Sequence, residues 1–356
     1  MLKVFLPFLV AFWIVGGDLC AASLTTPPEP VTLVPYHGPV YNIFFHPLIY
    51  NAKKAFAPSP KKVFMDEWFI TVDEFKKTLH SLYQRGYVLV RPRQFYQQDS
   101  HGHWFQKRVD LPRGKKPLIL SEDDVNYYPT MRTHGVISRL WVDPQGRLAG
   151  IIDEPNGNSR VVYHAEVPQI LEDFVKKHPD FSFEGARGMI NETGYYGAFG
   201  YPDVGKKSFD QAANIYEAKR VAAKLKQMGW EFASHSFDHE FLWQEPDGGP
   251  FEKAERKWMA DIGTIVGPTP YYVFPFGDQW FKDKKRMAFL NSLGFRYFFS
   301  VDNHASVSHI DGDIVLGRVA VDGRSLRLKA HSLQIYLNAN AVLDPLRSRG
   351  IHYSWN

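Results

Sequence analysis

The feature that most constrains the fold is an alternation of short apolar runs with longer amphipathic ones, sustained from about Thr71 to Val319. Runs such as Tyr87–Val90, Lys116–Leu120, Gly188–Ile190, Trp230–Ser234, Tyr271–Phe274, Phe295–Val301 and Ile314–Val319 have the length and composition of strands. An earlier run, Val31–Tyr36, reads as the first strand. Between the runs lie segments with apolar residues at helical spacing. In Thr71–Arg85, Phe75, Leu79 and Leu82 share one face and Gly86 stops the helix; Val167–Lys177, Phe209–Met228, Phe251–Val266 and Lys284–Leu293 follow the same pattern. Parallel strands need crossover connections, usually helices, so the alternation predicts a parallel sheet wrapped by helices. The predicted fold class is α/β, a distorted (β/α) barrel of about seven units. Neither a GxGxxG nor a P-loop pattern follows the first strand, which argues against a nucleotide-binding fold.

One stretch breaks the rhythm. Val136–Val142 and Arg147–Ile152, joined by Asp143-Pro144-Gln145-Gly146, predict a hairpin, and Ser159–Tyr163 supplies a third β-type run. A small β-hairpin insertion is therefore expected at about residues 136–163.

The N-terminus carries Lys3, an apolar run from Val4 to Val15, and small residues at Ala21, Ala22 and Ser23. That is the order of a secretory signal, and the run is short for a bilayer span. The expectation is a signal peptide at 1–22, a catalytic domain at 23–356, a secreted or periplasmic location, and no stable membrane insertion after cleavage. An uncleaved anchor is the alternative. Asp18 and Leu19 stand where a lipoprotein signal has small residues, so no lipid anchor is expected. Cys20 is the only cysteine, so a metal site in the mature chain must use His and carboxylates. A net charge of +4 with no dense Lys/Arg tract argues against nucleic acid as a partner. The 9 Trp, 18 Tyr and 27 Phe are ordinarily core residues, with sugar stacking as the other use.

Three motifs fall at predicted strand ends, where parallel α/β barrels build their sites. The first is Asp123-Asp124; adjacent acids on a strand point to opposite faces unless the strand is ending and turning, and helix capping is the competing role. The second is His235-Ser236-Phe237-Asp238-His239, whose two His at i and i+4 can grip one metal. Two His and one carboxylate leave positions open for water and substrate, as in a catalytic zinc site, and a second carboxylate beside the ligand can act as base. The same ligands also suit a non-haem Fe(II) oxygenase, which does not need the adjacent free acid. The third motif is Phe274-Pro275-Phe276-Gly277-Asp278, a rigid turn able to present backbone N–H groups to an oxyanion, or else a plain strand-to-helix turn.

In this order the motifs resemble the polysaccharide deacetylase family, the carbohydrate esterases of family 4 with a NodB-like domain. Ser121-Glu122-Asp123-Asp124 stands for the family's Thr-Phe-Asp-Asp, and His235 to His239 matches its His-Ser/Thr-x-x-His. The resemblance implies Asp123 as general base, and Asp124, His235 and His239 as ligands of Zn²⁺ or another divalent ion such as Co²⁺ or Mn²⁺. Pro275-Phe276-Gly277 matches the third motif, but Val273 occupies the position of its Arg, the residue that orients the base. Arg318, in Gly317-Arg318-Val319, is the candidate to supply that charge from a later strand. No clean match to the general-acid motif exists; His304, His309 and His331 are candidates, while His37 and His46 are expected to line the site.

The function implied is removal of N-acetyl groups from a polysaccharide, by attack of metal-activated water on the acetyl carbonyl with the Phe276 N–H at the oxyanion. The alternatives are an O-acetyl esterase on the same site, a non-catalytic carbohydrate-binding protein, and an Fe(II) oxygenase.

Overall fold

The computed structural model describes residues 32–202, 211–240, 249–278, 282–310 and 312–347; the expected signal at 1–22, with Cys20, lies outside them. The strands that position the site are β1 (Tyr41–Phe45), β2 (Tyr87–Leu89), β3 (Lys116–Asp123), β4 (Met189–Glu192), β5 (Glu231–Ser234), β6 (Tyr271–Val273), β7 (Tyr297–Val301) and β8 (Asp313–Ala320). Seven of them pair in parallel in the order β4-β5-β6-β7-β8-β1-β3, and β3 returns to pair with β4, closing the barrel. The eighth, β2, lies beside the first half of β3, with Tyr87 opposite Lys116 and Leu89 opposite Leu118. The second half of that edge belongs to β4, with Met189 opposite Ser121 and Asn191 opposite Asp123.

The first strand is not where the sequence placed it. Leu33–Tyr36 forms a strand, but it pairs antiparallel with Val109–Pro112 outside the barrel. The reason is local: Leu33 is half exposed and Pro35 has no N–H to give a central ladder. The barrel begins instead at β1, where Asn42 to Phe45 are all buried.

Burial on both faces explains the near-continuous apolar runs of the barrel strands. Side chains alternate between two separate clusters. Leu118, Leu120, Ile190, Tyr272 and Phe298 face outward into the large core beneath the helices. Ile119, Met189, Ala233, Tyr271, Val273, Phe299, Ile314 and Leu316 belong to the other cluster, which fills the barrel. Continuing the inward positions by twos toward the strands' C-terminal ends changes their chemistry. Ile119 leads to Ser121 and Asp123, Met189 to Asn191, Ala233 to His235, and Leu316 to Arg318. The barrel is therefore apolar at its base and polar and charged at its mouth.

The surrounding helices are α1 (Val72–Gln84), α2 (Val167–Lys177), α3 (Gln211–Met228), α4 (Gly249–Asp261) and α5 (Lys284–Ser292). Thr71 starts α1 with a reciprocal cap: its hydroxyl accepts from the Glu74 N–H at 3.2 Å, and Glu74 Oε2 accepts from the Thr71 N–H at 2.7 Å. α2 buries Val167, Ile170, Leu171, Phe174 and Val175 along one face, each worth about 1.5–3 kcal/mol against exposure. Arg139–Val142, Leu148–Asp153 and Ser159–Val162 form a separate three-stranded antiparallel sheet. Its Asp143–Gly146 turn is closed by the Gly146 N–H donating to the Asp143 carbonyl at 2.9 Å. Among the described residues, no helix is long and apolar enough to cross a membrane.

Candidate metal centre at the barrel mouth

β3 ends at Asp123, and Asp124 turns the chain back with a left-handed φ of 62°. The Asp124 N–H donates to the Asn191 carbonyl at 3.1 Å, which fixes the turn against β4. The strand is thus ending and turning, the condition under which neighbouring acids serve one site. Both carboxyls are nearly inaccessible, at 2% and 4% exposure.

β5 ends at Ser234 and delivers His235 and His239. The His235 N–H donates to the Glu192 carbonyl at 2.9 Å, and its ring Nδ1 bonds the Val273 carbonyl at 2.9 Å. That bond makes Nδ1 the donor and leaves Nε2 with a free lone pair, the usual way a ligand imidazole is oriented. The His235 and His239 rings lie 4.9 Å apart. One ligand atom each from Asp124, His235 and His239 lie within 4.8 Å of one another.

These residues fit a divalent cation on two counts. The donor set is two imidazoles and a carboxylate, which suits Zn²⁺ and its neighbours. In addition, Asp124 Oδ1 is buried with no hydrogen-bond partner, a costly condition that a cation would relieve. Burial holds the His235 pKa down to about 4, despite the opposing charge of Asp123, so the ring is neutral near pH 7.

Asp123 has a different environment. Arg318, fully buried on β8, forms a two-pronged pair with it: Nη1 donates to Oδ1 at 2.7 Å and Nη2 to Oδ2 at 3.0 Å. Asn191 Nδ2 adds a third bond to Oδ1 at 2.6 Å, and Arg318 Nη1 also reaches Ser121 Oγ at 3.1 Å. The guanidinium stacks on the Phe44 ring, 4.2 Å from its centroid. Burial pushes the Asp123 carboxyl up, but Arg318 and then His235 outweigh it and hold it well below the usual carboxylate range. Arg318 therefore stands where a cation beside Asp123 was expected, and Val273 contributes its carbonyl to His235 instead.

The third motif forms a one-turn 3₁₀ segment, Pro275–Gly277, after β6. Phe276 has φ 57° and a half-exposed ring whose centroid lies 4.5 Å from that of His239. Asp124, Ser236, His239 and Phe276 are four of the eight non-glycine residues with left-handed φ among those described. Such conformations cost roughly 1–3 kcal/mol each and concentrate where a site needs them.

The histidines separate clearly. His46 follows β1 at the mouth and is partly buried, with Nδ1 lacking a partner. Its ring packs against Phe44, Trp68 and Phe69. His37 is exposed ahead of the N-terminal end of β1, away from the mouth, so it does not line the site. His304 is largely exposed beside Asp302, His309 sits on the antiparallel strand Val307–Ile310, and His331 lies in the short helix Ala330–Leu333. Asn191 is the site residue that sequence reading missed. Its one signal is a polar run, Asn191-Glu192-Thr193, closing an apolar strand.

No family model matches the chain, and no curated protein matches it. Among solved structures it is similar to the Streptococcus pyogenes deacetylase PplD in complex with acetate, at 15% identity over 82% of this chain and 94% of that one, with a TM-score of 0.42. It is also similar to a proposed polysaccharide deacetylase from Bacillus anthracis, at 11% identity over 82% and 66%, with a TM-score of 0.41. A third similar structure is a family 4 carbohydrate esterase from Bacillus anthracis, at 15% identity over 78% and 87%, with a TM-score of 0.29.

Proposed function

We propose that the chain is a metal-dependent hydrolase that removes acetyl groups from an N-acetylated polysaccharide. The observation that carries this reading is the Asp124–His235–His239 cluster, two of its members buried and His239 partly so, with a second, differently held carboxylate, Asp123, directly beside it. Zn²⁺, or Co²⁺ or Mn²⁺, held by those three residues would supply Lewis acidity toward water and the acetyl carbonyl.

The chain's own groups supply the rest. Asp123 accepts the proton of the attacking water, and Arg318 and Asn191 keep its carboxylate ionised and aimed. The Phe276 N–H donates to the oxygen on which negative charge develops. His46 donates a proton to the leaving amine as the C–N bond breaks, giving acetate and a free amine. This reading assigns the acid to the partly buried imidazole that follows β1 at the barrel mouth rather than to His304, His309 or His331. The same reading takes residues 1–22 as an export signal and 23–356 as the catalytic domain with its insertion at about 136–163, placing the enzyme in the periplasm or outside the cell.

The test is acetate release from N-acetylglucosamine oligomers and peptidoglycan, with O-acetylated xylan alongside. Metal-stripped protein receives Zn²⁺, Co²⁺ or Mn²⁺, and Asp123→Asn serves as control. Metal-dependent release from the N-acetyl substrates, lost in Asp123→Asn, is expected. Release from xylan alone would make the protein an esterase, and none from any substrate would leave a binding protein.

A further inference from the structure

We propose that Tyr128, Tyr195 and Tyr196 form a stacking platform for a second sugar ring of the substrate, next to the ring whose acetyl group meets the ligand cluster. The inference rests on the deacetylase reading and names a feature of its substrate: the enzyme takes an oligomer of neutral pyranoses, held by at least one neighbouring unit.

The three rings come from two strand ends of the mouth. Tyr128 follows Asp124 after β3, and Tyr195 and Tyr196 follow β4. Their centroids lie 5.2 Å apart for Tyr128 and Tyr195, 5.6 Å for Tyr128 and Tyr196, and 4.6 Å for the adjacent pair. Yet Tyr195 and Tyr196 remain 36% and 40% exposed. Single exposed aromatics are ordinary, but a contiguous group on a rigid support beside a hydrolytic centre is not.

The support is rigid by construction. The Gly194 and Tyr195 N–H groups both donate to the Phe237 carbonyl, at 2.9 and 3.0 Å, tying the turn to the loop that carries His235 and His239. A Cβ at Gly194 would overlap the Phe237 ring, so only glycine permits this approach. The Gly197 N–H closes the turn on the Gly194 carbonyl at 3.0 Å, with Gly197 at φ 81°. Behind it, the Leu140 N–H donates to the Phe199 carbonyl at 3.0 Å and Arg132 Nη2 to the Gly200 carbonyl at 3.1 Å. The antiparallel insertion thus braces the platform.

The chemistry of the patch selects its ligand. Thr193 to Tyr201 contains no charged residue, so the patch offers nothing to a phosphate backbone or an anionic lipid. A pyranose has an apolar C–H face and a rim of hydroxyls, and a tyrosine covers the first while bonding the second at low entropic cost. Phe276, half exposed against His239, offers a further apolar surface beside the ligand cluster.

The test separates this inference from the proposed chemistry by reading binding, not turnover. Calorimetry of the metal-stripped full chain with β-1,4- and β-1,6-linked N-acetylglucosamine tetrasaccharides should give a measurable Kd with at least one of them. Tyr195→Ala/Tyr196→Ala should weaken it about tenfold, the size of one lost aromatic contact, and Tyr195→Trp/Tyr196→Trp should restore it. The melting temperature of each variant checks that the turn still folds. Unchanged affinity in the alanine variant, or no binding by the parent, overturns the platform even if acetate release succeeds. Loss and rescue of binding support it even if no acetate is released.

Discussion

Replacing Arg318 with Met keeps most of the buried stem and removes the charge that faces Asp123. Two charge-assisted hydrogen bonds to the carboxylate, at 2.7 and 3.0 Å, are lost, together with the stacking on Phe44. Hydrogen bonds to charged groups are worth about 1.5–3 kcal/mol each, and removing one partner of a buried ion pair costs about 3–5 kcal/mol. Urea unfolding of metal-stripped protein should therefore show a deficit of about 3–5 kcal/mol near pH 8. The sign with pH is specific. In the parent, Asp123 titrates below its unfolded value, so its contribution is complete above pH ~4 and lost as pH falls further. Without Arg318, burial dominates and raises the carboxyl above that value, so stability falls as pH rises through it. The deficit should accordingly be larger at pH 8 than at pH 5. Asp123→Asn/Arg318→Met should be less destabilised than the sum of the single changes by about 1–3 kcal/mol. Additive effects, or a deficit independent of pH, would refute the claim that Arg318 exists to hold an ionised Asp123.

Beneath the site, on the outward face, Glu122 and Glu166 are both fully buried, and burial pushes the Glu166 pKa from 4.5 up to about 7. A folded value raised in this way contributes stability that is complete below pH 4.5 and lost as pH rises through about 7, so the Glu166→Gln protein should show a flatter profile in urea unfolding between those values. An unchanged slope would contradict the raised pKa of the Glu166 carboxyl. Gly194→Ala should lower the melting temperature and weaken tetrasaccharide binding together, because its Cβ meets the Phe237 ring; a variant as stable as the parent would show that the turn can shift.

Much of the barrel was legible because parallel strands buried on both faces leave apolar runs that no surface strand shows. The misplaced first strand shows the limit: Val31–Tyr36 and Tyr41–Phe45 are both strand-like runs, and only pairing partners distant in sequence decide which enters the barrel. The grouping of Asp124, His235 and His239 was legible because His235 and His239 lie on one turn and Asp123-Asp124 is contiguous. Arg318 was a candidate for its charge alone; that it reaches Asp123 depends on closure of the barrel, which brings positions 195 residues apart within hydrogen-bond distance. Asn191 was obscure for the same reason. It sits in no spaced pattern, and it owes its place to period-two alternation along a strand whose register the sequence does not state.

The most direct measurement is metal stoichiometry by equilibrium dialysis with Zn²⁺ or Co²⁺, followed by elemental analysis, for the parent, Asp123→Asn and Asp124→Ala. The two acids are neighbours in sequence and both are buried, but only Asp124 carries the unpartnered oxygen beside His235 and His239. The parent and Asp123→Asn should retain stoichiometric metal, with acetate release surviving only in the parent, and Asp124→Ala should lose both. Metal retained at parental affinity in Asp124→Ala, or lost in Asp123→Asn, would contradict the division of labour on which the proposed mechanism stands.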